Sequence, residues 1–382
     1  MMIVRRNFRV LSRQELIDMM VGAAIQSSRS SLTEEMIAQI DQALAQGKRF
    51  RMIAVKDVPD DWLTVVPSGV GGGGAWDYVT ERTKRQKLPT EQTAMLAAVH
   101  ALSRHVGRAF NGVVRSEAGW ATIDALMTAN ALDVPVIDGC MTGRSVPSMQ
   151  QSTTFIAGIP GAPGALATQW GDMVVIEKAA DDFRLEDIAR GVAVASGGAV
   201  ELASNMLTGA QVKTAIISGA FSQAMLLGRT VREARVRGQD PVAAMIKSAN
   251  GVLLFTGRVA KSDMRKEGGF NWVDVVLQGT GRFSGHVYKV FVKNENMLTW
   301  LDGKPDAMAP DFIANLDPAT GHALSSKDVG MGGYPMGAEV AMVGLPASPL
   351  WRTARGIELV GPRAFGFDID YVPVEAGQRP RV

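Results

Sequence analysis

The sequence predicts an α/β fold: a mixed or parallel sheet lobe with helices, packed against a β-rich, barrel-like C-terminal lobe. Three observations predict it. Helical and short apolar extended segments alternate through about the first 140 residues, the pattern of a sheet with crossover helices. From about residue 251 the chain changes to β-like runs separated by Gly, Asp, Asn and Pro, as in an antiparallel sheet or small barrel. Hydrophobic residues make up 46% of the 382 and charged residues 20%, enough apolar material for a sizeable core. At roughly 150 residues per domain, we expect an α/β N-terminal domain over 1–168, carrying a Gly-rich loop. A C-terminal domain over 169–382 is expected to be helical at first and β-rich from about 251.

Each element has a local cause. Ser12 and Glu15 form a capping-box pattern, with Leu11 and Leu16 placed as a hydrophobic staple, so a helix follows. A second helix starts near Ser31 or Thr33, sets Met36, Ile37, Ile40 and Leu44 on one face, and stops at Gly47. "FRMIAV" and "WLTVV" read as strands, the latter feeding a glycine run. Thr90 is placed to cap the helix "EQTAMLAAVHALSRHVG". "GVVRSE" and "VPVIDG" read as strands around the helix "WATIDALMTANAL". "ATQWGDMVVIEKA" is a strand or hairpin. "RLEDIARGVAVASGGAVELASNM", "SQAMLLGRTVREARVRG" and "DPVAAMIKSA" read as helical. "VLLFTGRVAKSDM", "FNWVDVVLQGT", "HVYKVFVKNENMLTWLDG", "EVAMVGL" and "GIELVGP" are β-like.

Composition excludes several function classes. Forty basic and 38 acidic residues leave a net charge of +2, without the clustered Lys/Arg of a nucleic-acid footprint. The short basic stretch Arg82 to Lys87 reads as a solvated turn or helix face. No window reaches ~18 uninterrupted apolar residues, so no transmembrane helix and no membrane partner are expected. The single cysteine, Cys140, permits no intrachain disulfide and suits a reducing compartment. The N-terminus lacks the apolar core of a secretory signal, and a cytoplasmic protein is expected. A homo-oligomer is the default expectation, a two-fold dimer being the commonest form.

Three stretches offer sites. The first is "SGVGGGG". Gly69, Gly71 and Gly74 satisfy G-x-G-x-x-G, but no strand-ending acid follows about 20 positions on, so no nucleotide is expected. Gly71, Gly72, Gly73 and Gly74 instead suit a backbone nest for an anionic or carbonyl group, or a tight structural turn. The second is "VPVIDGCMTGRSVPSMQQSTT", where a strand ends at Asp138 and a glycine loop presents Arg144. Ligands gather beyond such strand ends, and Arg grips carboxylates with two bonds. A structural ion pair is the alternative. Glu117 ends a neighbouring strand in the same way. Cys140 in this loop is a packing residue, a ligand or a nucleophile. The third is "FVKNENMLTW". Alternation along a strand would point Asn294 and Asn296 together to orient a ligand, with Glu295 opposite as a general base. Turn chemistry is the alternative. His100, His105, His286 and His322 show no HExxH or HxH spacing, and a divalent metal is left open.

Several stretches together resemble the S-methyl thiohydantoin desulfurase family, which is often encoded beside hydantoinase/oxoprolinase genes. They include "SGVGGGG", "RSEAGWATIDALMTANALDVPVIDG", "GRSVPSMQ", "SGAFSQAMLLGRTVREA", "GVLLFTGRVAKSDMRKEGGF", "VKNENMLTW" and "APDFIANLDPATG", in the family's order and over nearly the whole length. The resemblance implies hydrolysis of a small-molecule substrate, an S-methyl thiohydantoin or related hydantoin-type ring, with water replacing methanethiol. Glu117, Asp138 or Glu295 would be the base, with Arg144, Gln150, Asn294, Asn296 and the Gly71 to Gly74 amides on the substrate. The implied site lies between the two lobes. The family loop reads close to D-x-D-G-M-G-R-A-x-P-E-x-Q. Asp138, Gly143, Arg144, Pro147 and Gln150 match it, whereas Cys140 stands for the second Asp and Ser148 for the Glu. Two carboxylates are therefore missing, and a non-catalytic binding protein or a partner subunit of a hydantoinase-like enzyme is the alternative.

Overall fold

The computed structural model describes residues 8–28, 34–71, 76–86, 94–267, 270–324 and 333–376. Gly72, Gly73 and Gly74, and the helix starts expected at Ser31 or Thr33 and at Thr90, lie outside these residues. The chain opens with β1 (Arg9–Val10), α1 (Arg13–Ser27), α2 (Glu34–Ala45), β2 (Arg51–Ala54), β3 (Leu63–Gly71), α3 (Asp77–Gln86) and α4 (Ala94–Val106). It continues through β4 (Gly112–Arg115), α5 (Trp120–Ala131), β5 (Val136–Cys140), α6 (Thr153–Ile156), β6 (Gly164–Ala167) and β7 (Met173–Ile176). Then come α7 (Asp182–Ala195), β8 (Ala199–Thr208), α8 (Gly209–Ala215), β9 (Ile217–Ser218), α9 (Ala220–Val236) and α10 (Pro241–Ser248). These strands form one mixed sheet in the order β1-β2-β5-β4-β3-β8-β6-β7, with β9 on β5. Strands β2, β5, β4 and β3 run parallel, and β8, β6 and β7 continue the sheet antiparallel.

The remainder supplies β10 (Val252–Glu267), β11 (Phe270–Gly279), β12 (Val287–Lys293), β13 (Glu295–Leu301), β14 (Lys304–Met308), β15 (Phe312–Leu316), β16 (Glu339–Leu345) and α11 (Ala354–Val360). They build an antiparallel sheet in the order β14-β13-β12-β11-β10-β16-β15, curled into a half-barrel. Its curl brings β13 against β15. Helices of the first lobe share an apolar core with the second sheet. Ile25 of α1, Leu227 and Val231 of α9 and Met245 of α10 pack with Phe312, Ala314 and Val343 of β15 and β16.

Local signals were honoured where they were strong. Ser12 and Glu15 close the capping box on α1, and Leu11 and Leu16 are both buried in the main core. Met36 and Ile40 of α2 are buried there too. Two segments differ from expectation. The run 184–206 is not one helix: α7 stops at Ala195, Gly197 and Gly198 take positive φ, and Ala199–Thr208 becomes the strand that pairs with β3. Helix propensity spans well under 1 kcal/mol per residue for most side chains, and pairing in the middle of a sheet overrides it. "GIELVGP", expected as β, is helical in α11, capped by Thr353, whose side chain accepts from the Gly356 amide.

Helices α1 and α9 cross at glycines. A Cβ on Gly22 would stand 1.7 Å from the Ala224 carbonyl oxygen, and one on Gly228 1.9 Å from that of Asp18. Asp18, buried at the crossing, accepts two bonds of 2.8 Å from Arg232. Gly22→Ala gains helix propensity of about 1 kcal/mol but forces the two backbones apart. We expect a net loss of roughly 1–3 kcal/mol, read as a lower urea midpoint with unchanged m-value.

Candidate active site

The parallel strands end on one side of the first sheet, and a cavity of about 470 Å³ opens there. Its walls are the end of β3 from Ser68 to Gly71, the turn from β4 into α5, the loop after β5, and residues of α7 and β8. Asn294 is the one wall residue from the second sheet among the described residues. The expected cleft between two lobes is therefore mostly a cavity of the first. Gly69 and Gly71 lie in β3 rather than in a turn after it, and Gly74, the third glycine of the pattern, lies outside the described residues. Gly71 has a packing reason. A Cβ would meet the Gly198 carbonyl oxygen at 2.5 Å and Ala199 at 3.0 Å, where β8 passes against β3.

Two carboxylates in this cavity were not singled out from sequence. Asp124 lies in the second turn of α5 and Glu201 lies on β8, and both line the cavity. Burial pushes the Asp124 carboxyl up to about 7, and the charge of Glu201 adds to the effect. Burial also raises the Glu201 carboxyl. Asp124 thus holds its proton through burial first and through the charge of Glu201 second. The N-terminus of α5 opens on the same space at Gly119, Trp120 and Ala121, and no side chain caps it. The first-turn N–H groups of a helix have no partners within it and favour negative charge. Ser116 Oγ, buried on the wall, has no hydrogen-bond partner. Asp124 is the one charged residue of its helix, "WATIDALMTANA". That isolation was the available sequence signal.

The residues expected from sequence divide into two groups. Glu117 lines the cavity, and its carboxylate accepts from the Val146 amide at 2.9 Å, fixing the opposite wall. Asn294 lines it too, but not as a strand residue. It takes φ 58 between β12 and β13, and its Oδ1 accepts from the Asn271 amide. This turn breaks the expected alternation. Asn296 points elsewhere: it donates to the Ile313 carbonyl and Asn315 Oδ1, and accepts from Tyr334. Glu295 is 1% exposed and is not part of the cavity wall.

Asp138 also lies off the wall. Its oxygens accept from the Phe221 and Ser222 amides and the Ser222 hydroxyl at 2.6–3.0 Å. It caps the start of α9 from outside, where the N-cap residue is Gly219. Gln150 is absent from the wall, and its Oε1 is buried without a partner. Cys140 is fully buried and outside the wall. Its sulfur donates to the Ser116 carbonyl and accepts from the Thr142 and Gly143 amides at 3.4 and 3.3 Å. A carboxylate oxygen could accept those same two amides, so at this position the side chain shapes a turn. Ser148 does line the cavity. Glu186 brings a carboxylate to the same loop, accepting from the Met149 amide and pairing with Arg190.

Arg144 is the largest departure. It is 3% exposed and does not face the cavity. Its guanidinium donates to the carbonyls of Ser145, Asn296, Pro310 and Asp311 at 2.9–3.2 Å and lies over the Phe312 ring. Its donors are used on backbone of the second lobe, which rules against a substrate anchor. Burial lowers its pKa to about 10, with Asp311 and Glu117 opposing the drop.

Among the described residues, no group of three or more His, Cys, Asp or Glu side chains is arranged to hold a metal ion. No helix among them is long and apolar enough to cross a membrane. Arg144→Ala is expected to cost on the order of 3 kcal/mol, since it leaves buried carbonyls unpaired. A calorimetric midpoint unchanged from wild type would contradict this pinning role.

No curated protein matches the chain. The X-ray crystal structure of a protein from Chromobacterium violaceum aligns over 96% of this chain and 100% of its own, with a TM-score of 0.72 and 24% identity. That likeness concerns the fold. The family model described as the S-Me-THD-like N-terminal domain matches residues 14–178, and that of the S-Me-THD-like C-terminal domain matches residues 180–374. With its sheets, its cavity and these two consecutive matches, the chain belongs to the S-Me-THD-like family.

Proposed function

We propose that this chain is a hydrolase of an S-methyl thiohydantoin or related hydantoin-type ring, with Asp124 and Glu201 as its acid–base pair. The observation that carries the reading is the pair itself: two carboxyl groups on one cavity, one of them pushed up to about 7. An acid held near the working pH can both give and take a proton.

The chemistry balances without an added reactant beyond water. Ionised Glu201 takes a proton from water as its oxygen bonds to the ring carbon bearing the methylthio group. Protonated Asp124 supplies a proton to the adjacent ring nitrogen, and a tetrahedral adduct forms. Collapse breaks the carbon–sulfur bond: Glu201 returns its proton to the departing methanethiolate, ionised Asp124 takes the adduct's hydroxyl proton, and the ring keeps a carbonyl. The N–H groups at the start of α5 meet negative charge as it develops, in the manner of an oxyanion hole. Ser116 Oγ and the Asn294 amide nitrogen are two further polar groups on the wall that could meet the ring edge. Glu117 holds the Val146 wall and acts on position rather than on protons.

A second reading, a binding protein or partner subunit without turnover, draws on Ser148, which stands on the cavity wall where the family resemblance implies a Glu. Methanethiol release from a panel of S-methyl thiohydantoins separates the two. Wild-type protein should release it, and Asp124→Asn and Glu201→Gln should each lower kcat/KM by about 10²–10⁴-fold while remaining folded. No release from any substrate, beside an active relative, would favour the binding reading.

The pair should work singly protonated, giving a bell-shaped rate profile whose basic limb falls near pH 7. Stability has its own sign. The folded pKa of Asp124 lies above its unfolded value of 3.8, so the folded state holds a proton that the unfolded chain releases between these values. Asp124 therefore destabilises the fold increasingly as pH rises towards 7. Asp124→Asn should leave stability at pH 4 nearly unchanged and raise it at pH 8 by roughly 2 kcal/mol. Denaturation at the two pH values checks this.

A further inference from the structure

The open edge of the first sheet is unlike its surroundings. Strand β7 ends the strand order, and three consecutive side chains on it are exposed: Met173 at 40%, Val174 at 36% and Val175 at 42%. Edge strands of single chains are normally short, charged, bulged or covered. At four residues this one is short, but it is regularly paired with β6 on its inner side, without a bulge, and apolar on both faces.

The ladder fixes which backbone groups are unspent. The Thr168 amide donates to the Asp172 carbonyl at 2.9 Å, making 168 and 172 a hydrogen-bonded pair. Alternation in an antiparallel ladder then turns the N–H and C=O groups of Val174 and Ile176 towards β6. Those of Met173, Val175 and Glu177 face the open edge. A strand laid against this edge in antiparallel sense, centred on Val175, would meet a matching set of groups only if its own unspent residues share that spacing. A second copy of β7 meets this requirement by symmetry.

We propose that this edge pairs with the same edge of a second copy of the chain, across a two-fold axis through Val175. In that register Val175 faces Val175 and exchanges both hydrogen bonds with it, and Met173 pairs with Glu177. Val174 faces Ile176, and Asp172 faces Lys178. The two ends thus carry opposite charges twice over, Asp172 and Lys178 both being exposed. Slipping the register by one residue, which moves the centre to between Val174 and Val175, would set Asp172 against Glu177 and misalign the backbone groups. Charge and hydrogen-bond phase select the same register, and an isologous dimer with one continuous sheet results.

Sedimentation velocity on the full chain tests this. Wild type should show twice the chain mass, dissociating on dilution. Val175→Pro removes only an edge-facing donor, so β6 pairing survives, and proline is tolerated on edges for that reason. It should give the single-chain mass with unchanged circular dichroism. Val175→Lys, which places two like charges on the axis, should do the same without any backbone constraint. Lys178→Glu should raise the dissociation constant at least tenfold by facing Asp172 with a like charge. A single-chain mass for wild type at every concentration would overturn the proposal. So would an assembly of any size that both Val175 variants leave intact.

Discussion

The buried guanidinium of Arg144 is the contact on which the rest of the arrangement depends. Its loop leaves β5 in the first sheet, and its donors end on carbonyls of Asn296, Pro310 and Asp311 in the second lobe. A buried cation is costly unless its donors are all met, so the two lobes and the loop must come together in one geometry. Neighbouring bonds repeat the constraint. Trp351 donates to the Thr142 carbonyl and Gln151 to the Leu359 carbonyl, while fully buried Asp311 receives Arg352, Tyr371 and two backbone amides. Polar networks of this kind stabilise when complete and destabilise when broken.

What that pinning positions is a wall. Ser145 to Met149, immediately after Arg144, close one side of the cavity, and Glu117 ties to the same loop through Val146. The opposite side is β8, held against β3 closely enough that Gly71 has no room for a side chain. Between these walls Asp124 and Glu201 are both raised by burial, and Asp124 also feels the charge of Glu201. The raised pKa of Asp124 is thus a consequence of the fold's closure. A loosened loop would admit water and return both acids towards ordinary values.

Much of the fold was legible because its signals are local. The capping box at Ser12, the periodicity of α4, and the shift to β-like runs near residue 251 all depend on near neighbours. The misread segments depend on distant ones. Residues 199–208 carry alanines and a glutamate that suit a helix, and pairing with β3, over 100 residues earlier, and with β6 makes them a strand. The site was partly legible for the same reason. Glu117 and Asn294 stand at the ends of elements, where ligands gather, and both reach the cavity. Asp138 and Arg144 stood in an equally suggestive loop, yet the start of α9 and the carbonyls of the second lobe consume them. A sequence shows a donor or acceptor but not whether the fold has already used it. Asp124 and Glu201 were passed over because each is a lone acid in an unremarkable element. Their meaning comes from their meeting.

The most direct test of the account is the protonation of that pair itself. Carboxyl carbons of aspartate and glutamate can be labelled and followed by NMR through a pH titration, with Asp124→Asn and Glu201→Gln supplying the assignments. The account predicts one aspartate resonance titrating near pH 7, moving to lower pH when Glu201 becomes Gln. If every carboxyl of the folded protein titrated below about pH 5, within the ordinary range, the two acids would be neither dry nor coupled, and the proposed acid–base pair would be wrong.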